Sequence, residues 1–231
     1  MFWLNGDGSS MALGRDMEWV DDLVSPDPVV RAEAVLRFKQ VEAAFHAARQ
    51  AVWDFGDTKP RKRPKKDPAV RARSELSDAC GRDLMETLWQ GWSWVDLGPE
   101  RFPSGSAELI HYSLRYLEWE AHFPAEWPKS WTTKQSLLKY LARREDLTEQ
   151  ARARLADLVI KVVSRTQHCK DESYIAVARA IEDESLRQRV AEVAEGPEPA
   201  RARFLIHMLD HPDLPATTWT WQRWEAEQLG E

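Results

Sequence analysis

Apolar positions along this chain recur at three- and four-residue spacing, and no stretch of strand length alternates apolar with polar residues. From Asp27 the series Val30, Ala34, Leu36, Val41, Phe45, Ala48 and Val52 fits one long helix with Asp27 as N-cap and Pro28 in its first turn. That helix is predicted to stop near Gly56. A second begins at Asp67 and Pro68 and carries Val70, Leu76, Leu84, Leu88 and Trp92. DLGPERFPSGS reads as a loop, and 106–121 as a helix with Leu109, Ile110, Leu114 and Leu117 inward. HFPAEWPKSW is a further loop, followed by a helix in TTKQSLLKYLARRE capped by Thr132 or Thr133. The last third predicts a helix from about Thr148 with Leu155, Leu158, Val159 and Val162 on one side. Short helices follow in SYIAVARAIED, in ESLRQRVAEVAEG up to Gly196, and in PEPARARFLIHMLDH before Pro212. The fold class is therefore all-α, either an irregular helical bundle or a short stack of helix pairs. One domain is expected over 1–231, with a weakly ordered start at 1–12 and a flexible connector at 57–66.

One pattern repeats. DPVVRAEAVL begins at Asp27 and DPAVRARSEL at Asp67, with looser relatives at Asp146 (DLTEQARARL) and Asp183 (DESLRQRV). These starts lie 40, 79 and 37 residues apart, or one, two and one intervals of a unit near 40. An Asp cap before Pro is also an ordinary helix start. DPVVRAEAVL resembles the turn and inner helix of a HEAT repeat, within the wider HEAT/armadillo class. The resemblance covers about half the chain and implies stacked helix pairs with one exposed concave face. The chain departs from that pattern where KPRKRPKK replaces a partner helix, where only SGSAEL stands near 107, and in its long Trp-rich loops.

Charge and cysteine content narrow the class. The formal charge is -6, yet KPRKRPKK holds six basic residues and no acid, so the remainder carries -12. Lys59, Arg61, Lys62, Arg63, Lys65 and Lys66 are the residues that would bind nucleic acid, through salt-sensitive phosphate contacts. The acidic body disfavours a duplex laid along it. Two cysteines, Cys80 and Cys169, make no disulfide framework. With no membrane-length apolar run and no basic start followed by an apolar stretch, a cytoplasmic location is expected and no membrane partner.

Candidate chemistry is sparse. No nucleophile elbow or Gly-rich phosphate loop is present. His207 and His211 stand at the i, i+4 spacing that can grip zinc, but Met208 occupies the place of the HExxH glutamate. They read as one core and one exposed histidine at a helix end, so no metal and no cofactor is expected. Glu118 and Glu120 flank Trp119, two positions apart and on different faces, as solvated carboxylates would be. WSWVD, with Trp92, Trp94 and Asp96, is similar to the Trp and Asp arrangement of helical-repeat DNA alkyl-base glycosylases. That resemblance implies Asp96 as the base-excision residue.

Twelve tryptophans are the oddest feature of the composition. Trp89 and Trp92 share a helix face and suit a core. Trp127, Trp131, Trp219 and Trp221 sit beside Pro or Thr in segments read as loops, which makes them candidates for an exposed aromatic patch. With Glu118 and Glu120 they form the expected partner-binding set. The function expected is a non-enzymatic module that binds a basic protein, of the kind exemplified by an immunity protein occluding a basic bacterial toxin. The alternatives are the glycosylase-type enzyme and an adaptor subunit of a nucleoprotein assembly.

Overall fold

The computed structural model describes residues 18–57, 107–128, 131–165 and 170–229, with isolated helical positions at 68, 72, 75, 76 and 79. The chain divides into two compact units, Met1–Trp94 and Val95–Glu231. Nine α-helices and no strand occur among the described residues, so the protein is all-α. The basic connector lies outside those residues apart from Asp57, as do the start at 1–12, Trp89, Trp92, Trp94, Asp96 and both cysteines.

In the first unit, α1 (Trp19–Asp22) packs on α2 (Pro28–Asp57). Asp27 caps α2 as the sequence predicts, its Oδ1 accepting from the Val29 amide at 2.8 Å. Arg31 closes the turn between the helices by donating to the Ser25 carbonyl at 2.7 Å. Trp19, Val20 and Leu23 are buried with Ala34 and Phe38. The inward stripe thus runs through Phe38; Leu36, expected inward, is 58% exposed. Leu36 lies two residues from Ala34, about 200° round the helix, so it falls on the opposite side.

The second unit contains α3 (Ala107–His122), α4 (Trp131–Ala142), α5 (Glu149–Val163), α6 (Tyr174–Ala180), α7 (Glu184–Ala194), α8 (Ala200–Asp210) and α9 (Thr218–Leu229). Consecutive helices pair, α3 with α4, α5 with α6 and α7 with α8. Alternate helices also stack: α3 on α5 and α5 on α7, α4 on α6 and α6 on α8. Three helix pairs therefore lie in register, an arrangement compatible with a helical repeat. Their first helices begin at 107, 149 and 184, intervals of 42 and 35 residues. The helix expected over 106–121 is α3, and Leu109, Ile110, Leu114 and Leu117 are buried as its spacing predicts.

Local chemistry sets the helix ends. Thr148 accepts from the Ala151 amide at 3.2 Å to start α5, and Asp183 accepts from the Leu186 amide at 2.7 Å to start α7. Thr148, rather than Asp146, is thus the cap; Asp146 instead pairs with Arg144. Leu155, Leu158, Val159 and Val162 are buried as the spacing predicts. Arg179 of α6 closes the far end of α8, donating to the carbonyls of Met208 at 2.7 Å, His211 at 3.0 Å and Leu214 at 3.1 Å.

Candidate functional site

The charged centre of the second unit comes from residues that occupy apolar positions of their helices. Glu120 lies three residues after Leu117 on α3, and Lys134 three before Leu137 on α4. Both side chains are fully buried. The Lys134 ammonium donates to Glu120 Oε1 at 3.2 Å and to Asp171 Oδ1 at 2.5 Å. Arg165, just past α5, reaches both oxygens of Glu120 at 2.7 and 2.9 Å. Its other terminal nitrogen, Nη1, donates to the Glu120 and Ala121 carbonyls at 3.3 and 3.2 Å, which closes the end of α3. Arg201 of α8 pairs with Asp171 Oδ2 at 3.1 Å and donates to the Val162 carbonyl at 2.6 Å.

Asp171 is delivered to this centre by a turn at Lys170, whose φ of 65° lies in the left-handed region. Asp171 opens the short 3-10 turn Asp171–Ser173 that leads into α6. The network thus links α3, α4, the end of α5, the start of α6 and α8, so it spans all three helix pairs. Two carboxylates face three cations, which leaves the cluster with one excess positive charge.

Burial dominates the electrostatics of this centre. Burial pushes the Tyr174 phenol well above its usual value, and the Glu120 and Asp171 carboxylates push it further. The phenol therefore remains protonated and is no base at neutral pH. Burial holds Arg201 below the usual arginine range, with Asp171 working against it. The adjoining cavity, lined by Asp171, Tyr174, Arg201, Phe204 and Trp221, has a volume of about 40 Å³. That is room for about three waters.

The expected partner-binding residues separate into inside and outside. Trp127, expected exposed, is 3% exposed and packs edge-on against Tyr116 at 5.7 Å. Pro128 beside it does not prevent burial, because the turn after α3 folds the indole back onto that helix: the Trp127 amide donates to the Phe123 carbonyl at 3.2 Å. Trp131 opens α4 rather than a loop and is half-buried, its ring 5.0 Å from that of Trp127. Glu120, expected solvated, is fully buried. Glu118 is partly buried and held by Arg154 at 2.7 and 2.8 Å and by Arg115 at 3.1 Å. The two glutamates do point to different faces.

Trp219 and Trp221 belong to α9, not to a loop. Thr217 starts this helix, its Oγ1 accepting from the Thr220 amide at 3.2 Å. Trp224 is buried and Trp221 half-buried, both against Phe204 of α8 at 5.3 and 4.9 Å. Trp219 faces out at 62% exposure, with the Arg223 guanidinium over its ring at 5.7 Å and Glu227 bonded to Arg223 at 3.0 Å. Residues 182–231 contain eleven Asp and Glu against five Arg and no Lys, a net of -6 that equals the charge of the whole chain.

The lysines and arginines of 59–66 and Asp96 lie outside the described residues. Among the described residues, no group of three or more His, Cys, Asp or Glu is arranged to hold a metal ion. No helix among them is long and apolar enough to cross a membrane. Comparison of the chain with protein-family models, curated proteins and solved structures finds no match.

Proposed function

We propose that the chain is a non-enzymatic protein-binding module, a short HEAT-like stack of helix pairs that holds a basic protein partner on its acidic C-terminal helices. The observation that carries this reading is the outward-facing Trp219 on a segment whose net charge is -6. A large ring left in water offers an anchor for a partner's apolar pocket. The surrounding carboxylates would speed encounter with Lys- and Arg-rich surfaces and repel acidic ones. The buried ion network supports the same reading from within, since its salt bridges join all three helix pairs that would carry such a surface. An immunity protein that occludes a basic bacterial toxin is one class with this profile.

Purification of the protein with its partner from native cells tests the reading. The expected partner is basic, the complex weakens as salt rises, and Trp219→Ala lowers affinity at least tenfold, consistent with loss of about 1.4 kcal/mol or more. An acidic partner, or an affinity untouched by Trp219→Ala, overturns it.

A further inference from the structure

The outward helix α9 is held to the stack by an aromatic seam that contains two titratable rings. His207 and His211 stand one turn apart at the end of α8, with ring centroids 4.4 Å apart and planes inclined by 34°. His207 also lies 6.5 Å from the ring of Phe204 and 6.4 Å from that of Trp224, the buried anchor of α9. His211 Nδ1 lies 2.9 Å from the His207 carbonyl. The pair therefore sits where α9 meets α8.

The charged groups around it are largely committed elsewhere. On α8, Arg203 lies one turn before His207, and Asp210 is bonded to Arg187 of α7 at 2.8 Å. On α9, Glu227 is bonded to Arg223 at 3.0 Å. From α6, the Arg179 guanidinium donates to the Met208 and His211 carbonyls, so a permanent cation already occupies the end of α8. An imidazolium at His207 would sit in the ring seam of Phe204 and Trp224, with the His211 ring 4.4 Å away.

We propose that His207, stacked on His211, forms a proton-operated latch on α9: the neutral His207 ring packs the helix that presents Trp219 against α8, and protonation of that ring loosens it. The consequence for binding rests on the functional reading above; the latch itself does not. Burial, then the neighbouring His211, holds His207 below its ordinary value of 6.5, with Glu227 and Asp210 pulling the other way. A histidine with a depressed folded value binds its proton more readily once released. Packing is therefore complete above pH 6.5 and weakens as pH falls through that value.

Hydrogen–deuterium exchange of peptide 218–229 at pH 7.5 and 5.5, with times scaled for the intrinsic chemical rate, tests the latch without any partner. The wild-type segment is expected to exchange about fivefold faster at pH 5.5 after scaling, a change of about 1 kcal/mol in opening free energy. The His207→Gln/His211→Gln variant should show equal scaled rates at the two pH values. If that variant fails to fold by far-UV circular dichroism, His211→Gln alone, at the exposed ring, should cut the pH response at least twofold. A wild-type segment with equal scaled rates overturns the latch, as does a response that survives the substitutions. Partner affinity measured at the same two pH values separates the two claims. Loosening of α9 with affinity unchanged keeps the latch and removes the partner from Trp219.

Discussion

Trp127 and Trp219 have similar settings in the sequence, each beside proline or threonine and close to acids, yet one is core and the other surface. Trp127 closes over Tyr116 beside the helix pair that carries Glu120 and Lys134. Trp219 stands on the outer side of α9 with only an arginine over its ring. The charges around them divide the same way. Around Glu120 and Asp171 every carboxylate is enclosed by cations from other helices, whereas the acids of the C-terminal helices face water or single arginines. The same residue types thus serve as internal fastening in one region and as a presented surface in the other, and the difference lies in how many helices converge on them.

Substitutions can break this contrast. The largest effect is expected from Asp171→Ala, which leaves Lys134 and Arg201 as under-compensated buried cations. It should cost about 3–5 kcal/mol in a urea titration followed by circular dichroism. A loss under about 1 kcal/mol would mean that the network fastens nothing. Trp127→Ala comes next, at about 3 kcal/mol, through the cavity left against Tyr116. In protein that remains folded it should leave partner affinity unchanged; a binding defect at full stability would return Trp127 to the surface set. Asp183→Ala removes the cap of α7 and should cost about 1 kcal/mol. Trp219→Ala is expected to alter stability least, within about 0.5 kcal/mol, while producing the largest loss of binding. Thermal melts and affinity measurements on one preparation check both halves of that statement.

Much of the fold was legible along the chain. Asp27, Thr148 and Asp183 are followed by helical spacing, and each caps a helix because capping needs only atoms two or three residues away. The stripe Leu155, Leu158, Val159 and Val162 is inward for the same local reason. Helix α9 was missed because Thr and Trp are weak helix formers. Its signal was Thr217 three residues before Thr220, with Trp221 and Trp224 three apart beyond. Glu120 and Lys134 also left a trace: each holds a position in an apolar stripe where a solvated charge has no place. The candidate site was legible only as a list of residue types. Of its four tryptophans, Trp219 alone is exposed, and of its two glutamates, Glu120 is the most enclosed acid of the ion network.

By itself, then, the sequence determined an all-α chain and most of its described helix boundaries, since these follow from backbone hydrogen bonding and side-chain periodicity within a few residues. Only the tertiary structure decided which rings and charges lie inside. The partners of Glu120 are Lys134 and Arg165, 14 and 45 residues along the chain, and Asp171 meets Lys134 across 37. Whether a charge is buried depends on counter-charges arriving from several helices at once, and no local pattern specifies that convergence.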